Sequence, residues 1–447
     1  MTDPGPAPEP EPGAAEERLP NPWWILPVLG SIPIGVRERH LHLMGFVAFA
    51  MFFENYDMSL LTSVLKYLGD DFGLDEAQLG SFAGWIRLGT LPAFFVIPFA
   101  DRIGRKRMFL VSIVGMSIGT FLTALSPSET WFIAFQMLSR TFMLTASAIA
   151  FVFITEEFPA EHRGWGIGML GAVAALGFGV GALFFAAIEV IPYGWRALYA
   201  LGIAPVLLLP KIASGLPETR RFEAAQREAE VDAGERRLRD RLGPLEPIIA
   251  LAAQHPRHAI GVLGLGVLGV LGTAPAFQFT GQYVLDVRGW EPWQYSTMFI
   301  VCGLFGVVGS PWAGRMGDLY GRKVIAALAL GVYPLWVFAF YSGPGWLTPF
   351  AWIGMVFASM SSGVVIRALT NETFPTERRG TAGGFLSLME TAGAALGLFV
   401  FSYWMGVVGD QALVIGLISL MAVVSILSLP LFPETSKREL EDIQAST

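Results

Sequence analysis

Charge is scarce in this sequence. Only 15% of its 447 residues are Asp, Glu, Lys or Arg, against about 25% in soluble domains. With 53% hydrophobic residues and a mean hydropathy of +0.53, most of the chain has lipid rather than water as its surroundings. Cysteine is rarer still: Cys302, inside an apolar run, is the single one, so no intramolecular disulfide can form and the redox compartment cannot be read. The five histidines lie near helix ends or in loops, which argues against a histidine proton relay at mid-membrane. No G-x-x-x-x-G-K-[ST] stretch occurs, so the chain has no Walker-type loop through which ATP would drive it. A basic start followed by a smooth apolar core is also missing, and no signal peptide is expected. The net charge of −7 excludes little, because charge is distributed loop by loop. No enzyme activity, cofactor, metal or nucleic-acid partner is expected.

What is abundant is apolar runs. Stretches of about twenty residues, the length that crosses a ~30 Å hydrocarbon core, recur at roughly 43–65, 79–100, 107–126, 131–154, 165–189, 196–214, 259–283, 293–313, 324–342, 347–369, 381–405 and 411–431. Basic residues in the short loops set the orientation. Arg102, Arg105, Lys106 and Arg107 follow the second span, His162 and Arg163 the fourth, Arg322 and Lys323 the eighth, Arg378 and Arg379 the tenth. The opposite loops are poor in Lys and Arg, and the first carries Asp70, Asp71, Asp75 and Glu76 beside Lys66. Both termini are therefore expected in the cytoplasm, in a multi-pass protein of the cell membrane. Trp131, Trp195, Trp290, Trp293 and Trp346 fall at outer ends, where an interfacial aromatic belt would sit.

The sequence divides accordingly. Residues 1–40, Pro-rich and acidic up to Glu17, read as a disordered tail with an interfacial stretch at 23–36. A six-helix bundle is expected over 41–214, a central loop with short surface helices over 215–258, a second six-helix bundle over 259–432 and a tail over 433–447.

The two bundles repeat each other. PFADRIGRKR at 98–107 is echoed by GRMGDLYGRK at 314–323, with Asp101 and Asp318 offset by 217 residues. EEFPAEHRG at 156–164 recurs as ETFPTERRG at 372–380, and PETRR at 217–221 as PETSK at 433–437, both offset by 216. At that offset Gly164, Gly168, Gly177 and Gly181 map onto Gly380, Gly384, Gly393 and Gly397. Spaced glycines allow the close backbone approach that packs helices in lipid. The fold class is thus an all-α membrane protein, twelve transmembrane helices as two six-helix pseudo-repeats around a central cavity.

Ionisable groups at membrane depth are costly and mark pathways. Glu54 and Asp57 lie near the middle of span 1, three residues apart and on one helical face. Arg140 is about ten residues into span 4 and Glu390 about ten into span 11. Arg87 lies nearer the outer end of span 2 and Arg367 nearer the inner end of span 10; each has a structural alternative, a side chain reaching toward the headgroups. Gln136, Arg140 and Ser147 share one face of span 4, and Ser387, Glu390 and Thr391 cluster on span 11, a polar stripe expected to face the cavity. At the repeat offset the partners of Glu54, Asp57, Arg140 and Glu390 are uncharged. The framework is duplicated and the polar interior is not, so selection and coupling belong on the unrepeated residues. Low dielectric makes a carboxylate hold its proton and a nearby cation loosens it; Arg140 moving against Asp57 would load and unload a proton. Asp57, then Glu54, are the proton-coupling candidates; Arg140, Gln136, Glu390 and Arg87 are candidates for substrate contact. A satisfied salt bridge between helices is the structural alternative for the Arg140 pair.

Twelve spans, the six-plus-six repeat and these loop motifs resemble the major facilitator superfamily. G-x-x-x-D-x-x-G-R-K is complete in the second copy, and Ile97 replaces its leading Gly in the first. E-x-x-P-x-x-x-R-G and P-E-T-x-[RK] are similar to those of the sugar-porter branch and its metabolite-symporter relatives. The resemblance implies a cytoplasmic gating network of Asp101, Gly104, Arg105, Glu156, Arg163 and Glu218, with Asp318, Gly321, Arg322, Glu372, Arg379 and Glu434 as counterparts. Sugar porters carry Gln-Gln-x-x-Gly-x-Asn in span 7, where this chain has Gln278 and Gln282 within FQFTGQY; both are candidates for substrate contact, and the missing Gln and Asn weigh against a hexose. An Arg expected in span 4 aligns with Gln136. The implied function is secondary active transport of a small organic solute (metabolite, carboxylate or sugar-like) by alternating access, as a proton-coupled symporter acting as a monomer. The alternatives are proton-antiport efflux of an amphipathic cation and a non-transporting sensor.

Overall fold

The computed structural model describes residues 20, 22, 32, 33, 35–216, 218, 246–375 and 378–436, apart from the side chains of Asp101, Arg102 and Ala160. The expected tails and central loop lie largely outside these residues; within the loop, Glu246–Gln254 is helical.

Long helices follow one another through the described residues: α1 Glu38–Ser63, then α2 Glu76–Phe99, α3 Arg105–Ala124, α4 Glu129–Glu157, α5 Arg163–Phe185, α6 Trp195–Gly215, α7 Pro256–Asp286, α8 Pro292–Tyr320, α9 Arg322–Ser342, α10 Gly345–Thr373, α11 Arg379–Val408 and α12 Gln411–Leu431. The last eleven are long and apolar enough to cross a membrane. Helix α1 has the length, 26 residues, and is less apolar because Glu54, Asn55 and Asp57 lie within it. Each helix coincides with one of the twelve expected spans. A turn at 89–92 interrupts α2, where Pro92 lacks the N–H that an unbroken helix requires.

The repeat has a physical basis at both of its glycine classes. Gly104 and Gly321, between α2 and α3 and between α8 and α9, have φ +107° and +109°, a region of the backbone map that side chains do not tolerate. The D-x-x-G-R-K turn therefore needs its Gly. Gly177 and Gly181 bring α5 against α1: a Cβ at 177 would lie 2.1 Å from the Phe52 carbonyl oxygen, and one at 181 2.9 Å from Ser59. Gly393 and Gly397 bring α11 against α7, with a Cβ 2.4 Å from the Val267 oxygen and 2.6 Å from the Leu271 oxygen.

The other repeated glycines behave differently. A Cβ at Gly164, Gly168, Gly380 or Gly384 would meet nothing within 4 Å. These four lie on α5 and α11 near the end that carries the repeated basic motifs, here the motif end. At the opposite, far end the two six-helix halves touch. Gly80 of α2 lies under Phe401 and Ser402 of α11, and Gly84 under Phe399. Gly281 of α7 approaches the Thr62 carbonyl of α1. Phe185 of α5 meets Tyr295 of α8 edge-on, with centroids 5.6 Å apart. The halves thus seal at the far end and part toward the motif end.

The tryptophan expectation needs one correction. Trp131, Trp293 and Trp346 are more than half exposed, as an interfacial belt requires, but Trp195 is 4% exposed. It packs among Phe72 and Phe132 with Arg196 4.2 Å over its ring, so it belongs to the core of its half.

Candidate functional site

Between α1 and α4 lies a closed polar cluster. Asp57 and Arg140 are 0% and 1% exposed. Arg140 Nη2 stands 3.9 Å from Asp57 Oδ2, beyond hydrogen-bond reach, so their attraction is coulombic. Asp57 Oδ1 accepts from Gln136 Nε2 at 3.1 Å and from Thr120 Oγ1 at 3.2 Å. Oδ2 is buried and has no hydrogen-bond partner among the described residues. The two oxygens are therefore unlike: one is fixed by two donors, and the other has the charge of Arg140 near it. Thr120 shares a 2.8 Å hydrogen bond with Ser139, and Arg140 Nη1 lies 2.8 Å from Met58 Sδ. Glu54, one turn before Asp57, accepts from Ser147 Oγ.

Helical spacing produces this cluster. Residues 54 and 57 share a face of α1, and 136, 140 and 147 share a face of α4. The α4 stripe was expected to line a cavity. It instead faces α1 inside its own half, where Gln136 is 0% exposed; a line of charge and amide is satisfied better by the carboxylates of α1 than by an open space. Thr120 and Ser139 were not anticipated. Hydroxyls recur three residues apart along α3, at 117, 120 and 123, and that pattern is the signal that could have pointed to a polar seam.

In the other half Glu390 accepts from Arg367 Nη2 at 2.8 Å. This ion pair joins α10 to α11, with side chains 58% exposed for Arg367 and 23% for Glu390. The two groups singled out separately are thus one unit. Arg87 is half-buried and close enough to Arg140 for their charges to repel. Gln278 is buried with its Nε2 unpartnered among the described residues. Gln282 is engaged at the far end: it donates to Asp286 at 2.9 Å and to Glu76 of α2 at 3.4 Å, and accepts from Gln411 at 2.5 Å. Beside it Lys66 pairs with Asp286. This bridge between halves links residues about 200 apart in sequence, and no local pattern announces it.

At the motif end the two halves repeat one arrangement. Arg105 reaches Glu156 at 3.4 Å, and Arg322 reaches Glu372 at 2.7 Å and Asp318 at 3.2 Å. Glu218 accepts from the backbone N–H of Lys106 at 3.1 Å. Glu434 accepts from those of Arg322 at 2.9 Å and Lys323 at 3.2 Å. The P-E-T glutamate thus caps the first turn of α3 in one half and α9 in the other, where unpaired N–H groups and the helix dipole favour an anion. Arg163 donates to the Phe158 carbonyl at 3.3 Å, whereas its counterpart Arg379 keeps Nε and Nη2 buried without partners among the described residues. The Asp101 side chain lies outside the described residues. The contacts just named stay within one half.

Comparison with known proteins agrees with this architecture. A sequence model of the Major Facilitator Superfamily matches residues 47–398. The niacin transporter NiaP of Acinetobacter baylyi is 29% identical over 192 residues, covering 42% of this chain and 43% of that protein. The chain thus spans less than half the length of that relative. The glucose transporter GlcP of Staphylococcus epidermidis is 23% identical over 435 residues, 87% of this chain and 93% of the relative. Among solved structures, a D-xylose-proton symporter superposes with a TM-score of 0.69 at 17% identity, covering 87% of this chain and 97% of that one; this likeness is one of fold. With the duplicated motifs, the twelve helices and a family match over most of its length, the chain belongs to the Major Facilitator Superfamily of transporters and resembles its sugar-porter-like branch.

Proposed function

We propose that the protein is a proton-coupled symporter of a small organic solute, working by alternating access across the cell membrane with both termini in the cytoplasm. On this reading the motif end is cytoplasmic and the structure is inward-facing: the far end is sealed and the motif end is parted. The observation that carries the proposal is the asymmetric Asp57 carboxylate. Oδ1 is anchored by Gln136 and Thr120, Oδ2 is unpartnered, and Arg140 attracts it from 3.9 Å. A proton on Oδ2 would neutralise Asp57 and free Arg140 from its counter-ion. Arg140 would then be drawn toward other anions, Glu54 or a bound solute, so the protonation state of α1 and the position of α4 are one variable. Because Asp57 is 0% exposed, exchange of that proton requires helix movement, which is what couples it to alternating access. The motif-end clasps would hold each half rigid while the halves rock.

The relatives' names, niacin and glucose, support a small polar metabolite as the solute. Cation efflux gains no support, since Glu390 is paired with Arg367 and Glu54 with Ser147. The test is reconstitution in liposomes with labelled nicotinate and labelled glucose in turn. An inwardly directed proton gradient should drive accumulation of one probe, abolished by a protonophore. Equal accumulation with the gradient collapsed would overturn the coupling.

A further inference from the structure

Of the three arginines singled out within the spans, two have a carboxylate beside them: Arg140 has Asp57 and Arg367 has Glu390. Arg87 has no ion-pair or hydrogen-bond acceptor for its guanidinium among the described residues. Its position excludes the headgroup explanation. Arg87 lies seven residues after Gly80 and three after Gly84, so all three share one face of α2. That face is the one α11 covers, with Phe401 and Ser402 over Gly80 and Phe399 over Gly84. Two residues away Trp85, 50% exposed, packs edge-on against Phe399 of α11, with centroids 5.3 Å apart. Arg87 therefore points between the halves, one turn beyond the last glycine contact of the far-end seal, where α2 and α11 begin to part.

The companion charge makes the site more demanding. Arg140 is near enough to repel Arg87, and its own counter-ion, Asp57, lies on the α1 side. Arg87, without a counter-ion of its own among the described residues and repelled by a second cation behind it, calls for an anion between the halves. The two amides of α7 that sugar recognition would use do not face this space. Gln282 is committed to Asp286, Glu76 and Gln411, and Gln278, with its unpartnered Nε2, is 4% exposed and closed off from the space between the halves.

We propose that Arg87 is the anchor for the carboxylate of a small monocarboxylic acid, held between α2 and α11 beneath the far-end seal. A planar guanidinium matches a carboxylate with two parallel N–H···O bonds. The proposal rests on the symporter reading for its place in a transport cycle, and the experiment separates the two. Binding is measured on the full chain in detergent, with no gradient, by ligand-induced thermal stabilisation, using benzoate, its neutral isostere benzamide, acetate and glucose. Wild-type protein should be stabilised by benzoate and not by benzamide or glucose. Arg87→Gln should weaken benzoate binding at least about tenfold, the loss of a charge-assisted contact, and Arg87→Lys should retain part of it. Unchanged benzoate affinity in Arg87→Gln would overturn the anchor. Stabilisation by glucose, or by benzamide as strongly as by benzoate, would overturn the substrate class, as would no response to either carboxylate. The wild-type comparison stands even if Arg87→Gln does not fold. A protein that binds benzoate through Arg87 but ignores a proton gradient would leave this inference standing and remove the symporter reading.

Discussion

Substituting Ala for the repeated glycines separates the two classes that sequence spacing cannot tell apart. At Gly177 a Cβ would sit 2.1 Å from the Phe52 carbonyl oxygen and 3.0 Å from the Tyr56 nitrogen. The obstruction is backbone, which cannot rotate aside, so α5 must move off α1 by about 1 Å to restore ordinary contact. Gly→Ala in a helix gains about 1 kcal/mol of propensity, while overpacking costs about 1–3 kcal/mol. With rigid atoms on both sides the upper part of that range applies, and a net loss of about 1–2 kcal/mol follows. Gly393→Ala should lose a similar amount, its Cβ lying 2.4 Å from the Val267 oxygen. At Gly168 and Gly384 nothing lies within 4 Å, so only the propensity gain remains. The two classes should differ by about 2–3 kcal/mol, a difference of at least a few °C in thermal midpoint. Purified variants would be compared by intrinsic tryptophan fluorescence at one scan rate, since unfolding of such proteins is commonly irreversible. Equal midpoints for Gly177→Ala and Gly168→Ala would refute the assignment of one class to packing and the other to open space.

The far-end bridge and the motif-end caps give two further tests. Lys66→Met removes the ion pair with Asp286, whose side chains are 29% and 30% exposed; such a pair is worth about 0.2–1 kcal/mol. In a Cys302→Ser background with Thr62→Cys as reporter, labelling from the far side should rise by up to about fivefold, and an unchanged rate would show that the bridge does not hold the seal. Glu434→Ala uncaps α9 and should cost about 0.5–2 kcal/mol, read as a lower thermal midpoint. Glu218→Ala should do the same at α3, whereas a midpoint unmoved in both would leave the P-E-T element without this role.

Much of this architecture was legible because membrane helices announce themselves locally. Every span was visible as an apolar run, and the duplication was visible because turn chemistry constrains sequence: Gly104 and Gly321 recur since their φ of +107° and +109° excludes side chains. The α1–α4 cluster was readable for the same reason, since charged residues at helical spacing have few places to go in lipid. What local pattern could not supply was direction around each helix. The α4 stripe of Gln136, Arg140 and Ser147 was on one face, but sequence does not say whether α1 or a cavity lies opposite. Likewise Arg87 and Arg367 looked alike as arginines off mid-depth, and only packing shows that Arg367 meets Glu390 while Arg87 meets no carboxylate among the described residues. The Gln282–Glu76 contact depends on how two halves dock, which no single span records.

The central claim is that Asp57 carries the coupled proton, and Asp57→Asn tests it most directly. Asn can still receive the Gln136 and Thr120 donors through its carbonyl oxygen, so the seam between α1, α3 and α4 is kept while the titrating group is lost. Wild-type protein in liposomes, coupled one proton to one solute, should accumulate labelled nicotinate about tenfold per unit of imposed pH gradient. Asp57→Asn should bring the accumulation ratio to one while still exchanging labelled for unlabelled nicotinate, because exchange needs alternating access and no net proton movement. A variant that concentrates nicotinate with the wild-type response to the gradient would contradict the account and leave Asp57 as a structural partner of Arg140.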